Sequence, residues 1–440
     1  LRDFATSEHP GVSAQLARLA ALSLPQGRYG LETIHALLAR LGDPHTRLPP
    51  VFHIAGTNGK GSTCAFLRAM LEAAGLTVHA ATKPHLVRYN ERIRIAGRLI
   101  EDDHLAALLA EVLDASTSLN PSFFEVTTAA LFLAFARTPA DACIIEVGLG
   151  GRLDATNVIP HPAACAIATL GIDHEAFLLR PEEGTPENPL ARIAFEKASI
   201  AREGVPLVTQ SYPDEAADEV SLLATQTGAL LKMRGRDWHA ETTPTAILYR
   251  DAQGSLTLPL PAMIGAHQAD NAALATAILR HQSALSIPPE AIAHGIESAR
   301  WPARLQRLCA GPLTALAQHT QGGRAIWLDG GHNPDAGAAL ARHFAPQPPI
   351  HLIIGMLANK DPAALLAPLS GMLASVAIVP APGHEAHSPE RFAPHTALPA
   401  RAFANVAEAL AALPAEGDVL IAGSLYLAGE VLRLNGEVPD

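Results

Sequence analysis

The chain has little cysteine, no block of positive charge and no long apolar run, and each shortage removes a class of protein. Four cysteines (Cys64, Cys143, Cys165 and Cys309) are scattered through 440 residues with no C-x-x-C spacing. Neither a disulfide framework nor a zinc site is expected, and the four read as small buried hydrophobes. Lysine and arginine number 32 against 43 aspartates and glutamates, a formal charge of −11 without a basic cluster. Nucleic acid and anionic membrane are therefore poor candidate partners. No apolar stretch approaches the roughly 18 uncharged residues of a spanning helix, and LRDFATSEHP carries no signal-peptide pattern, so a cytoplasmic protein is expected. What is present is a globular composition, 48% hydrophobic and 17% charged, in a chain long enough for two cores.

Helical and strand patterns alternate through the first part of the chain. Helices are expected near 12–23, 31–41, 64–75, 103–114 and 124–136, and strands at VFHIA (51–55), TVHAAT (77–82), ACIIEVG (142–148) and ACAIATLGI (164–172). A second rhythm follows WPARLQ: strands at 325–331, 351–356, 375–380 and 418–424, with helices near 334–344 and 361–373. The fold class is α/β. A mostly parallel sheet of phosphate-loop type should occupy residues 1–298, and a smaller Rossmann-like α/β domain residues 299–440. The turn-rich RPEEGTPENP (180–189) reads as a surface insertion.

Chemistry gathers where strands end, the usual place for ligands in open α/β sheets. HIAGTNGKGST (53–63) is a variant phosphate loop: Gly56 and Gly59 are only two residues apart, and Gly61 separates Lys60 from Ser62. A strand before it and a helix after it make an anion site, the alternative being an ordinary glycine-rich turn. EVGLGGRLDATN (146–157) places Glu146 at a strand end before a loop with Arg152, Asp154 and Asn157. GIDHE places Asp173 and His174 at another, and IAFEKASI presents Lys197 on a helix. GAHQADNAALA opens a helix with Gln268 and Asn271, and LDGGHNP ends a strand with Asp329 and His332.

These stretches, with PHLVRYNERIRI, FFEVTT and WPARL, occur in one order from about residue 28 to about residue 425. Together they resemble the folylpolyglutamate synthase and dihydrofolate synthase family, a branch of the Mur ligases. The resemblance implies an ATP-dependent amide ligase. A carboxylate is phosphorylated by ATP, and the amine of glutamate attacks the acyl phosphate. The acid would be dihydropteroate, and reduced folates as well if the enzyme is bifunctional. A synthase restricted to folate polyglutamylation, a Mur ligase for cell-wall precursors and a decayed nucleotide-binding regulatory module are the rivals.

By the same resemblance Thr57, Asn58, Gly59, Lys60, Gly61 and Ser62 cradle ATP, joined by Asn271 and by Arg304 and Asp329 of the second domain. Lys60, Lys197 and His332 are the implied catalytic groups. Glu146 and His174 would ligate Mg²⁺, and Lys197 would be carbamylated to N6-carboxylysine or act as a plain phosphate clamp. Arg304 and Asp329 could instead form an inter-domain ion pair. The pterin end is implied at Arg28, Tyr29, Gly30 and Leu31, at Ser122, Phe123, Phe124 and Glu125, and at Leu153, Asp154 and Ala155. Phe124 would stack on the ring and Asp154 accept its N–H donors, although Phe123 and Phe124 also suit a helix core. Closure of two domains over the site and a monomeric protein are expected.

Three positions depart from the family pattern. Lys83 stands where a serine commonly contributes an oxygen to Mg²⁺, and an ammonium cannot ligate a cation. It should either weaken the metal site or act as a phosphate-neutralising cation salt-bridged to Glu146 or to carbamylated Lys197. Ser199 replaces a common glycine, and the 180–189 insertion lengthens the loop before Lys197.

Overall fold

The computed structural model describes residues 7–22, 30–317, 324–345, 347–385, 387–414 and 416–440. Its contacts divide the chain into two compact units, Leu1–Ala262 with Ala269–Arg300, and Met263–Gln268 with Trp301–Asp440. The change of unit thus falls two residues after the expected 298, and a short segment before it belongs to the second unit.

The first unit is built on an eight-stranded sheet. Its strands are β1 (Val51–Ala55), β2 (Val78–Ala81), β3 (Ile93–Ile95), β4 (Arg98–Leu99), β5 (Ala142–Glu146), β6 (Ala164–Ile167), β7 (Pro206–Thr209) and β8 (Leu230–Met233). They lie in the order β4-β3-β2-β5-β1-β6-β7-β8, parallel from β2 to β8, with β3 and β4 antiparallel at one edge. Every residue of β1, β5 and β6 is buried, as their near-continuous apolar sequences require of strands covered on both faces.

Helices α1 (Pro10–Ala20), α2 (Glu32–Arg40), α3 (Lys60–Ala73), α4 (Asp102–Ala115) and α5 (Phe123–Arg137) accompany the first strands. The apolar stripes of α1, α2 and α4 pack on one another and on α5, which is buried continuously from Val126 to Phe135 and forms the interior of that layer. Further along come α6 (Glu175–Leu178), α7 (Pro189–Ala198), α8 (Asp214–Thr227), α9 (Ala266–His281) and α10 (Pro289–Ser298). Here α7 and α8 pack together over β6 and β7, and α10 packs on α3.

A three-stranded antiparallel sheet, β9 (Trp238–Thr242), β10 (Ile247–Asp251) and β11 (Gly254–Leu258), completes this unit and was not among the sequence expectations. The second unit carries β12 (Gln306–Arg307), β13 (Ile326–Leu328), β14 (Ile350–Ile354), β15 (Leu373–Ile378), β16 (Ala400–Ala402) and β17 (Val419–Ala422), ordered β12-β13-β17-β14-β15-β16. Its helices are α11 (Pro312–Ala317), α12 (Pro334–Phe344), α13 (Ala363–Leu369), α14 (Val406–Ala412) and α15 (Leu425–Asn435).

Two expectations need correction. Cys64, Cys143 and Cys165 are buried, but Cys309 is exposed, because it lies in the turn after β12, where its N–H donates to Glu437 at 2.9 Å. The helix after the glycine loop begins at Lys60 rather than 64, since Gly59, at φ 83°, is its N-cap and GKGS is its first turn.

The helix that carries this loop is held by a close backbone approach. A Cβ added at Gly295 in α10 would lie 2.5 Å from both the N and Cα of Met70 in α3. Backbone in a packed helix cannot move aside cheaply, so Gly295→Ala should lower stability by about 1–3 kcal/mol in urea unfolding. Gly371→Ala, with open space around the added methyl, should stay within about 0.5 kcal/mol of the wild type.

Candidate active site

The C-terminal ends of β5, β1 and β6 lie side by side, and the glycine loop leaves the middle strand. Gly56, at φ 150°, turns the chain where a Cβ would meet that of Ala168 at 2.9 Å. Gly59 passes so close to Asn271 that a Cβ would stand 2.5 Å from its Oδ1. Both positions therefore require glycine. Lys60 curls back, its Nζ donating to the carbonyls of Gly56 at 2.8 Å and Thr57 at 3.2 Å. One expectation fails here: the Thr57 N–H cannot serve an anion, because it already donates to Thr169 O at 2.7 Å and its hydroxyl to Gly171 O at 2.8 Å. The loop is stitched to the continuation of β6, and the donors facing outward belong to the first turn of α3.

At the end of β5, Glu146 is 3% exposed and accepts the backbone N–H of Lys83 at 2.9 Å. The Lys83 side chain runs over Gly148, where an added Cβ would lie 3.2 Å from its Cδ and 3.5 Å from its Nζ. Its positive charge is felt at Asp154, whose carboxyl it helps hold below the usual range. Asp154 organises the whole loop. One oxygen accepts Gly148 N and Leu149 N, each at 3.0 Å, and the other accepts Thr156 N at 3.0 Å and Thr156 Oγ1 at 2.5 Å. Burial alone would raise its pKa, but Lys83, the Thr156 hydroxyl and N–H and the Leu149 N–H outweigh burial and lower it. Behind it, His53 on β1 bonds the Thr156 hydroxyl at 2.9 Å and is driven by burial to a pKa of about 3, so it remains neutral.

After β6 the chain reaches Asp173 and His174, whose left-handed backbone (φ 54°) is fixed by a bond from its own N–H to Asp173 Oδ1 at 2.7 Å. From α7, Lys197 is 4% exposed. One pocket brings Thr57, Lys60, His174 and Lys197 together with Asp173 and the glycines 56, 148 and 150. Burial first, then the Lys60 ammonium, lowers the Lys197 pKa to about 7, against the opposing pull of Asp173, Glu196 and Asp154. Ser199, at the C-cap of α7 with φ −64°, occupies a right-handed conformation that needs no glycine.

Comparison with known proteins supplies the family. No family model matches the chain. The dihydrofolate synthase/folylpolyglutamate synthase of Escherichia coli K12 is 34% identical over 415 residues, 92% of this chain and 91% of that protein. The folylpolyglutamate synthase of Lacticaseibacillus casei is 33% identical over 90% of this chain and 92% of its own length. The chain belongs to the dihydrofolate synthase/folylpolyglutamate synthase family. Among solved structures, E. coli FolC in complex with DHPP and ADP superposes with a TM-score of 0.83 at 32% identity, covering 96% of this chain and 97% of that one. The bifunctional synthase of Yersinia pestis with AMPPNP and Mn ion gives 0.81 at 31% identity, with coverage of 96% and 97%. Both structures share the α/β fold described above.

Other residues implicated by the family resemblance have structural duties of their own. Ser122 and Glu125 form a capping box at the start of α5: Glu125 N donates to Ser122 Oγ at 3.3 Å, and Glu125 Oε2 accepts Ser122 N at 2.7 Å. Phe123 packs against the core, beneath the Arg92 guanidinium at 5.8 Å, while Phe124 is 37% exposed and is the aromatic ring available to a ligand. Ala155 is buried and Leu153 half-buried in the Asp154 loop, Gly30 and Leu31 precede α2, and Arg28 and Tyr29 lie outside the described residues. In the second unit Asp329 accepts Leu305 N at 2.8 Å and Gly331 N at 2.7 Å, and Arg304 donates to Ala303 O at 2.9 Å. Both residues belong to this one unit, so the alternative of an ion pair across the boundary does not apply. His332 Nδ1 lies 3.0 Å from Gly330 O in the same turn.

No group of three or more His, Cys, Asp or Glu among the described residues is placed to enclose a metal ion. Glu146 ends β5 and His174 caps α6 in the segment after β6, the two strands that flank β1, and Lys83 offers no lone pair. That donor set suits Mg²⁺, which takes one or two protein groups alongside waters and phosphate oxygens, and not a closed zinc or calcium cage. Asp173, which the sequence placed at a strand end without assigning it a role, lines the pocket.

The Lys197 shift fixes a pH dependence. Between pH about 7 and 10.5 the unfolded chain holds a proton on this lysine that the folded chain has released. Folding stability therefore gains from this group as pH rises through that window. Lys197→Met should flatten the rise measured by urea unfolding; an unchanged slope would contradict the assignment.

Proposed function

We propose that the chain joins L-glutamate to the carboxylate of dihydropteroate, and to reduced folates, in an ATP-dependent reaction through an acyl phosphate. The observation that carries this reading is the single pocket that gathers Lys60, Lys197 and His174 at the glycine loop. A carboxylate and a triphosphate are both anions, and bringing them to about 3 Å demands fixed positive charge and donors where charge develops. Lys60, the first turn of α3 with Gly61 and Ser62, and the neighbouring Asn58, Gly59 and Asn271 are assigned to the nucleotide. Arg304, Asp329 and His332 keep the nucleotide role that the family resemblance implies. Glu146 and His174 would hold Mg²⁺, which when bound neutralises the phosphate oxygens during transfer.

In the reaction a carboxylate oxygen of the acid attacks the γ-phosphorus and ADP leaves. The glutamate amine then attacks the acyl carbon, the C–O bond to phosphate breaks, and the amine's proton is lost. Support for an N6-carboxylysine at Lys197 comes from its burial and its pKa of about 7, which leaves much of it as the free amine that CO₂ requires. Phe124 is assigned to the pterin face. Asp154 can accept pterin N–H groups only in exchange for donors of its own loop, so its larger part is to shape that loop. The Lys83 charge helps keep the Asp154 carboxyl ionised, a role compatible with a working site.

Purified protein with Mg·ATP should release ADP in a glutamate-dependent manner with dihydropteroate, and a tetrahydrofolate arm decides bifunctionality. Lys60→Ala should reduce kcat by about 100-fold or more. Silence with both acids from folded protein that still binds ATP would sink the proposal.

A further inference from the structure

Beside the pocket, two arginines hold a carboxylate that the ligase reading does not use. Arg152, from the loop after β5, grips Glu182 in bidentate fashion, Nη1 to Oε1 at 3.2 Å and Nη2 to Oε2 at 2.6 Å. Arg192, from α7, adds its Nη2 to the same Oε2 at 3.2 Å. The two guanidinium carbons lie over the Phe195 ring at 5.4 and 5.5 Å from its centroid. Glu196 braces both, its Oε1 at 3.1 Å from Arg152 Nη2 and 3.0 Å from Arg192 Nη2. Arg192 Nε donates to the carbonyl of Leu178, a residue that lines the pocket with Lys197.

The partners differ sharply in burial. The side chains of Arg192 and Glu196 are 5% and 6% exposed and that of Arg152 23%, whereas Glu182, on the turn-rich insertion, is 48% exposed. Arg192 Nη1 is buried with no hydrogen-bond partner. A buried guanidinium nitrogen left unpaired has lost its water without a replacement partner, a cost that a purely structural brace has no reason to carry. Without Glu182, two guanidinium charges would face one carboxylate, leaving one positive charge and an open donor in a planar fork suited to a second carboxylate.

We propose that the Arg152–Arg192 pair is a carboxylate-binding subsite, filled in this state by Glu182 as a tethered stand-in, whose ligand is a free carboxylate of the glutamate class. The assignment to glutamate rests on the ligase reading; the carboxylate chemistry rests on the arginine pair alone. A tethered side chain competes at an effective concentration in the millimolar range, so removing it should expose the affinity of the pair.

The experiment is calorimetric titration of the full chain with L-glutamate, without ATP or pterin, for wild type, Glu182→Gln and Glu182→Ala. The proposal expects both variants to keep the wild-type near-ultraviolet spectrum and to bind glutamate at least tenfold more tightly. Arg152→Gln added to Glu182→Gln should abolish that gain, and sulfate should show less than a threefold change. Unchanged affinity, a gain that survives Arg152→Gln, an equal gain for sulfate, or loss of folding in both Glu182 variants would each overturn it. The last of these would make Glu182 a brace rather than a stand-in. Because no turnover is measured, failure here is distinguishable from failure of the ligase reading.

Discussion

Burial of a lysine beside a second lysine governs the site. Burial first, and then the Lys60 charge, disfavours the Lys197 ammonium at the ends of three parallel strands. Compensation spreads outward from the two lysines. Asp173, Glu196 and Asp154 pull the Lys197 proton back, Lys83 keeps Asp154 ionised, and Arg152 and Arg192 balance Glu196. Asp154 and Asp173 are fixed by hydrogen bonds from N–H groups of their own loops, and Glu196 by the two arginines. The same groups that make the charge tolerable therefore shape the glycine loops around the pocket. Of the five lysines in the chain, three (Lys60, Lys83 and Lys197) belong to this system, while the positive charge elsewhere is mostly arginine. Lysine is the cation that can lose its proton when buried, and this chain concentrates it where that property matters.

Much of this was legible in the residues. Continuous apolar runs ending in glycine or an acidic group located β1, β5 and β6, because a strand buried on both faces has no alternation to hide its ends. Other features escaped for identifiable reasons. The antiparallel sheet of β9 to β11 did alternate, with Leu248 and Arg250 outward and Ile247 and Tyr249 inward, and its turn at Asp251–Gly254 was overlooked among longer patterns. The S-x-x-E of the capping box at Ser122 was also in plain view, but the resemblance drew it toward substrate binding.

The remaining differences depend on contacts that sequence spacing does not carry. That the Thr57 N–H is spent on Thr169 depends on a bridge between segments more than a hundred residues apart. Lys83 and Asp154 are likewise brought together only by the pairing of β2 with β5, which lets a backbone amide serve Glu146 while the side chain continues to Asp154. A charge that looked misplaced in the sequence acts on a carboxylate that shapes the neighbouring loop.

The central claim is that this cluster of cations lets a carboxylate attack a phosphate. It is tested most directly by following oxygen: dihydropteroate carrying ¹⁸O in its carboxylate is turned over with unlabelled ATP and glutamate, and the released phosphate is analysed by mass. An acyl phosphate whose C–O bond is broken by the amine leaves one labelled oxygen in each phosphate. Phosphate free of label, at measurable amide formation, would contradict the account.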